Sequence, residues 1–148
     1  MALIDAIPDG ARLGLDTNVV IYFVERHPTY GPAVRPVFQG ISSGRFTGVA
    51  SVVTLLEVLV APLRAGERQL AEQYRNILTS TAGLDLLPAT EQIADRAAAL
   101  RAEYGLRVAD ALIASTAVGG GSTHFIANDA KFAQVAGLRT LVVSDYLD

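Results

Sequence analysis

Short apolar segments alternate with helical patterns along this chain, and that alternation restricts its fold more than any other feature. The helical segments have apolar residues three or four positions apart, or are apolar nearly all round. Strands that alternate with helices favour an α/β fold of three layers, in which helices cover both faces of a central parallel sheet. The predicted strands are 12–16, 46–50, 84–87, 124–127 and 140–143.

Proline, glycine and threonine set several of the helix boundaries. Pro32 and Pro36 lie at the start of a helix that runs to about residue 43. Pro62 is expected to stop the helix before it, because proline has no backbone N–H to donate. Thr90 is expected to cap a helix that Gly105 ends. The predicted helices are 19–24, 32–43, 53–59, 67–79, 91–104, 108–118 and 130–136.

Length and composition fit a single domain spanning residues 1–148. The chain contains no internal repeat or low-complexity linker, and 51% of its residues are hydrophobic, which is enough for one core. Cysteine is absent, so disulfides, thiolate zinc sites and a thiol nucleophile are excluded. The start of the chain carries an early acid and no basic stretch, and no apolar run approaches the roughly 18 residues of a membrane span. We therefore expect a cytoplasmic protein.

Two acidic residues follow predicted strands, at the place where parallel α/β sheets bind ligands. Asp16 ends the first strand, and Asp129 comes two residues after the fourth. Because ligands of such sheets bind at the carboxyl ends of the strands, these two side chains are expected to converge.

Two further acids lie inside apolar helices. Glu57 is embedded in residues 52–60 and Asp110 in residues 108–114. A buried carboxylate without a partner costs several kcal/mol or has its pKa raised. The partner could be an arginine, the N-terminus of a helix or a metal ion. Asp110 lies in the first turn of its helix, so a structural role is also open to it.

Taken together, the four acids point to a divalent cation. Oxygen ligands without sulfur or clustered imidazoles suit Mg²⁺ or Mn²⁺, and carboxylates gathered without a cation would repel one another. Such an ion lowers the pKa of a bound water and neutralises charge on a leaving oxygen. Net charge is −3, but without these four acids 11 carboxylates remain against 12 bases, so the rest of the surface does not oppose a polyanion.

Four stretches of the sequence resemble the motifs of PIN-domain nucleases, in the order of that family. They are Asp-Thr-Asn-Val-Val-Ile-Tyr at 16–22, Ala-Ser-Val-Val-Thr-Leu-Leu-Glu at 50–57, Arg-Val-Ala-Asp-Ala-Leu-Ile-Ala at 107–114 and Asn-Asp-Ala-Lys-Phe at 128–132. The length is similar to that of the VapC-type toxin branch, and the resemblance covers roughly residues 12–145. Ala127 departs from the pattern, since family members often carry a hydroxyl residue there.

The resemblance implies a Mg²⁺- or Mn²⁺-dependent endoribonuclease with a PIN-like fold. Asp16, Glu57 and Asp110 would bind the metal, and Asp129 would complete the site directly or through water. VapC-type proteins are toxins of two-gene modules, so the resemblance also implies an RNA substrate, a small antitoxin partner and a homodimer.

Positioning roles follow from the same motifs. Thr17 and Asn18 would position metal ligands or phosphate, and Asn128 is assigned to the same group. Thr54 lies three residues before Glu57, on the same face of its helix, and would brace that carboxylate.

Two other classes of function compete with a nuclease. A receiver domain or a haloacid-type phosphatase also uses an acidic pocket, but Lys131 follows Asp129 too closely for a receiver. Asn18 stands where the phosphatase needs a second aspartate. A PIN-like RNA- or protein-binding module without catalysis is the other alternative, and the presence of all four acids argues against it.

Overall fold

The central element of this computed structural model, which describes residues 1–147, is a five-stranded sheet. Its strand order is β3-β2-β1-β4-β5, and every neighbouring pair is parallel. The predicted α/β class with a parallel sheet is therefore confirmed. The strands are β1 (Arg12–Leu15), β2 (Thr47–Ser51), β3 (Leu84–Leu87), β4 (His124–Ala127) and β5 (Thr140–Val142).

Six α-helices connect and cover these strands within the described residues. Short 3₁₀ helices occur as well, at Leu3–Ala6, Ala130–Gln134 and Val143–Tyr146. None of the helices in residues 1–147 has the length and apolar character needed to cross a bilayer. The α-helices are α1 (Thr17–Val24), α2 (Gly31–Ser42), α3 (Val52–Arg64), α4 (Arg68–Ser80), α5 (Glu91–Tyr104) and α6 (Val108–Gly119).

Two apolar cores lie on opposite faces of the sheet, as the alternation of side chains along β4 shows. Phe125 and Ala127 pack into a core formed with α5 and α6. Ile126, between them, packs into the larger core formed with α1, α2, α3 and α4. Because successive residues of a strand point to opposite faces, the sheet is the middle layer of three.

The order in which the chain adds strands to the sheet reverses between β1 and β4. The chain leaves β1 for β2 and β3 on one side, and then crosses to β4 and β5 on the other. Leu15 is paired with Ile126, and the Asp16 N–H donates to the Ile126 carbonyl at 3.0 Å. The carboxyl ends of these two central strands therefore lie side by side, which is where a doubly wound sheet binds ligands.

Helix α6 approaches β1 closely because Gly14 has no side chain. A Cβ placed on Gly14 would lie 2.7 Å from the Cβ of Ala117 and 2.9 Å from Cδ1 of Phe125. These distances are far below van der Waals contact, so the second core is packed directly against the glycine backbone.

The predicted end of the third helix was wrong. Pro62 was expected to stop it after residue 59, but α3 continues to Arg64 with Pro62 buried inside it. A proline this close to the C-terminal end removes one backbone hydrogen bond and leaves only two residues beyond it. The Pro62 carbonyl also accepts from the Glu67 N–H at 2.8 Å, which ties the helix end to the next loop.

The segment after β4 was predicted as a helix over residues 130–136 and is shorter and tighter. It is a 3₁₀ helix over Ala130–Gln134. The Asp129 side chain accepts from the Lys131 N–H at 3.0 Å, which fixes a turn at the start of the segment. The extended backbone of Val135 ends it, and Gly137 farther along adopts a φ of +81°.

The other boundaries agree with the sequence to within two residues, because local signals set them. Thr90 Oγ1 accepts from the Ile93 N–H at 3.2 Å and caps α5, and Gly105 ends that helix with a φ of +68°. Both features are those expected of a threonine N-cap and a glycine in the left-handed region.

Candidate active site

A small polar cavity of about 110 Å³ lies at the carboxyl edge of the sheet, between β1 and β4, where the strand order reverses. The four acids singled out in the sequence reach it from four different segments of the chain. Glu57 and Asp110, the second and third of the four, are 53 positions apart in the sequence. The residues that line it are Asp16, Thr17, Asn18, Glu57, Arg107, Asp110, Asp129 and Lys131.

Asp16 occupies the junction between β1 and α1 and is buried. Its backbone is extended, and the residue is the N-cap of α1. Burial, together with the nearby carboxylates of Asp110 and Glu57, raises the pKa of Asp16 to about 6, against the opposing effect of a backbone hydrogen bond at Thr17. The ionised form of Asp16 is therefore held at a cost that a nearby cation would relieve.

Asp110 lies in the first turn of α6 and is also buried. Its Oδ2 is 2.6 Å from Nζ of Lys131 and 3.3 Å from Nε of Arg107. The partner that the sequence required for this carboxylate is thus supplied, in the structure, by two cations and by the start of a helix.

Glu57 is only half-buried, although apolar residues surround it in the sequence. The side of α3 that bears Leu56 faces solvent, and that leucine is 64% exposed. Thr17 Oγ1 donates to Glu57 Oε1 at 2.6 Å, and the Thr54 hydroxyl lies 3.2 Å from that of Thr17. Thr54 therefore acts on Glu57 through Thr17, and not by the direct contact that the sequence suggested.

Asp129 is exposed at the mouth of the cavity and is held by Lys131. Its Oδ1 accepts from the Lys131 N–H, and its Oδ2 lies 3.1 Å from Nζ. The hydrogen bond from that backbone N–H, together with the ammonium group, lowers the pKa of Asp129. Burial opposes the charge of Lys131, but Asp110 and Asp129 outweigh it and raise the pKa of Lys131.

Asn128 does not line the cavity. Its Nδ2 donates to the Tyr22 hydroxyl at 3.2 Å, and its Oδ1 accepts from the Ser144 N–H at 2.9 Å. The residue thus ties the end of β4 to α1 and to the last 3₁₀ helix. Asn18, by contrast, is exposed at the cavity. Ala127, where the motif often has a hydroxyl, is fully buried in the second core.

Two basic residues of the cavity, Arg107 and Lys131, were missed by the sequence analysis as site residues. The four motifs point to acids, and Lys131 enters the sequence argument only as a possible receiver lysine. A signal was available, because Arg107 lies three residues before Asp110 and Lys131 two residues after Asp129. Arg107 is 82% exposed, and Lys131 is 30% exposed.

The donor set fits a hard divalent cation, although the side chains do not already enclose one. In the described part of the chain, no three acidic or histidine side chains are close enough to cage a metal ion as they lie. The cavity nevertheless presents carboxylate and hydroxyl oxygens and no sulfur or imidazole. These are the ligands that Mg²⁺ and Mn²⁺ prefer, so both ions suit the residues present.

Comparison with solved structures shows the same fold in several proteins. The structure of VapBC2 from Rickettsia felis bound to a promoter DNA fragment matches with a TM-score of 0.71 and 20% identity, over 88% of this chain and 98% of that one. A toxin–antitoxin complex from Klebsiella pneumoniae matches with a TM-score of 0.67 and 23% identity, over 90% and 98%.

A third structure has a higher sequence identity. VapBC-5 from Mycobacterium tuberculosis, described as a member of the VapBC family of toxin–antitoxin systems, is 27% identical, with a TM-score of 0.56 over 92% of this chain and all of that one. No curated protein sequence matches significantly. Residues 14–138 match the PIN domain family, a span that covers most of the chain and all four cavity acids. The chain therefore belongs to the PIN domain family.

Proposed function

We propose that this protein is a divalent-metal-dependent endoribonuclease and the toxin of a toxin–antitoxin pair. The observation that carries the proposal is the convergence of Asp16, Glu57, Asp110 and Asp129 on one cavity at the edge of the sheet. Membership of the PIN domain family supports nuclease chemistry, and the toxin–antitoxin structures with the same fold support the biological role.

Asp16, Glu57 and Asp110 would hold Mg²⁺ or Mn²⁺, with Asp129 completing the site directly or through water. When bound, the ion would lower the pKa of a water molecule and neutralise charge on the leaving oxygen of a phosphodiester. The protein's own residues fix the geometry: the end of β1 holds Asp16, and the Thr17 hydroxyl orients Glu57. Arg107 and Lys131 provide donors for the phosphate at the rim of the cavity.

We further propose that the protein forms a homodimer and binds a small antitoxin. Its substrate would be RNA in the cytoplasm. An exposed apolar stripe on α3 supports a protein partner. Leu56 and Leu63 are 64% and 61% exposed, and Val52 and Val60 lie on the same side of the helix. Large apolar side chains that share one face of a surface helix are typical of a surface that another protein covers.

The proposal is tested by incubating the purified protein with end-labelled single-stranded RNA and Mg²⁺ or Mn²⁺, beside a lane with EDTA. We expect internal cleavage that requires the metal and stops with EDTA. Binding of RNA without cleavage under any metal would contradict the nuclease and favour a PIN-like binding module instead.

Loss of the Thr17 hydroxyl should weaken the metal site. In Thr17→Val, Glu57 loses the donor that orients it, so we expect the affinity for Mn²⁺ to fall about tenfold or more, as is usual for partners of metal ligands. Isothermal titration of the metal-free protein measures the change. Thr17→Ser keeps the hydroxyl and should bind Mn²⁺ with nearly the wild-type affinity. Equal weakening in both variants would show that the packing of the whole side chain, and not the hydrogen bond alone, sets the affinity for Mn²⁺.

Stability of the metal-free protein should fall as pH rises from about 4 to 7. Asp16 has a pKa of about 6 in the folded state, whereas in the unfolded state it has the ordinary aspartate value of 3.8. The folded state thus binds more protons between these values, and ionisation costs up to about 3 kcal/mol at neutral pH. Asp16→Asn should remove most of this dependence and be more stable than wild type at pH 7.5, but not at pH 4. Urea unfolding in EDTA at several pH values measures the free energy of unfolding of both proteins. If it varied with pH in the same way in Asp16→Asn and in the wild type, Asp16 would not be the group responsible.

A further inference from the structure

We infer that Lys131 is a built-in counter-ion of the acidic cavity, which occupies the place of a divalent cation and must leave Asp110 and Asp129 when metal binds. The inference rests on the proposed function, since it concerns the same metal site. It makes Lys131 a residue that sets the metal affinity of the protein, and it predicts that removing a positive charge elsewhere will not have this effect.

The first support is the position of the ammonium group. Nζ of Lys131 lies 2.6 Å from Oδ2 of Asp110 and 3.1 Å from Oδ2 of Asp129, so it bridges two of the proposed metal ligands. A second cation at the same oxygen atoms would be strongly repelled at such short range. Metal and ammonium are therefore alternative occupants of these two carboxylates.

The second support is that the backbone of Lys131 is fixed, while its long side chain has other rotamers open to it once its ion pairs are broken. The Lys131 N–H donates to Asp129 Oδ1, and the next residue, Phe132, is fully buried in the second core. The side chain has four flexible methylene groups and is 30% exposed, so it can turn into solvent without any change in the fold. Exchange of ammonium for metal thus needs only a rotamer change.

The third support comes from the charges that face this lysine. Arg107 is the other cation at Asp110, but its contact is longer, at 3.3 Å, and its side chain is 82% exposed. Without Lys131, Asp129 would lose its ammonium partner and Asp110 would keep only the exposed arginine. The two carboxylates would then be more available to a metal ion.

The exchange also gives the lysine a place to act once the metal is bound. A side chain displaced from Asp110 would still reach the rim of the cavity beside Arg107, where it could donate to a phosphate oxygen. Lys131 is then a positioning residue for the substrate in the metal-bound state and a competitor of the metal in the metal-free state.

The test is a titration of the metal-free protein with Mn²⁺ alone, without RNA, followed by the electron paramagnetic resonance of free Mn²⁺. Lys131→Met keeps most of the stem and removes the charge, so we expect Mn²⁺ to bind about tenfold tighter or more, because hydrogen bonds between charged groups no longer have to be broken. Arg75→Met removes the same charge from an exposed position on α4 and should leave the affinity unchanged.

The outcomes separate this inference from the proposed function. If the wild type binds Mn²⁺ and Lys131→Met binds it equally or more weakly, the counter-ion role is overturned while the metal site stands. If neither protein binds Mn²⁺, although cooperative thermal unfolding shows that both are folded, the metal site itself is overturned. The inference then falls with it. Tighter binding by both Lys131→Met and Arg75→Met would show a general charge effect and would also overturn it.

A second readout uses the fact that Lys131 is the only lysine in the chain. An amine-acetylating reagent can therefore modify one lysine side chain, and mass spectrometry can follow its acetylation with and without Mn²⁺. We expect Mn²⁺ to increase the rate of acetylation at Lys131 several-fold, because the ammonium leaves its carboxylates. An unchanged or slower rate in saturating Mn²⁺ would contradict the exchange.

Discussion

Asp16→Asn is expected to reduce cleavage of single-stranded RNA on the order of 10³-fold, at a metal concentration that saturates the wild type. Asp16 lies at the end of a central strand and is buried inside the fold. The amide keeps the size of the carboxylate but not its charge. The measurement is the initial rate of cleavage of end-labelled RNA under single-turnover conditions.

Asp95→Asn is the matched control, because it makes the same chemical change at an exposed position on α5, away from the cavity. Its cleavage rate should equal that of the wild type. If Asp16→Asn cleaved at the wild-type rate, Asp16 would not belong to the catalytic site. If both variants lost activity, overall charge rather than the cavity would control cleavage.

Gly14→Val is expected to lower the free energy of unfolding by about 3 kcal/mol or more, the upper range for overpacking a core. The new side chain would overlap Cβ of Ala117 and the ring of Phe125, and both are buried with no room to move aside. For a chain of this size the melting temperature should fall by about 10 °C. Differential scanning calorimetry of the metal-free protein measures the effect.

Gly14→Ala should have an intermediate effect, because the Cβ alone already meets Ala117 at 2.7 Å. Ala61→Val adds a β-branched side chain at an exposed position of α3 and should change stability little. A Gly14→Val protein that melts at the wild-type temperature would show that α6 can shift away from β1, against the close packing described above.

The strands and the meeting of the four acids could be predicted because both depend on simple rules. Buried parallel strands are nearly continuous apolar runs, and the carboxyl ends of such strands share one edge of the sheet. Asp16 and Asp129 had to meet there for that reason. Glu57 and Asp110 stood out because carboxylates are rare inside apolar helices.

Other features depended on three-dimensional detail that one sequence does not contain. A proline near the C-terminal end of a helix, such as Pro62, is tolerated, and the sequence alone does not show that α3 ends only two residues later. The side chain of Asn128 could have turned to the cavity or to Tyr22, and only the packing of α1 decides this. Lys131 was overlooked because the partner of a long flexible side chain is set by its rotamer, which spacing alone does not give.

The residues of the cavity come from segments far apart in the sequence, and this has a consequence for the synthesis of the protein. Asp129 follows β4, which lies between β1 and β5 in the sheet, so a chain that ends before residue 124 lacks a central strand as well as an acid. An unfinished nascent chain cannot assemble the cavity, however well its first half folds. The proposed cleavage activity would therefore begin only after nearly the whole chain has left the ribosome, and truncated products would lack it.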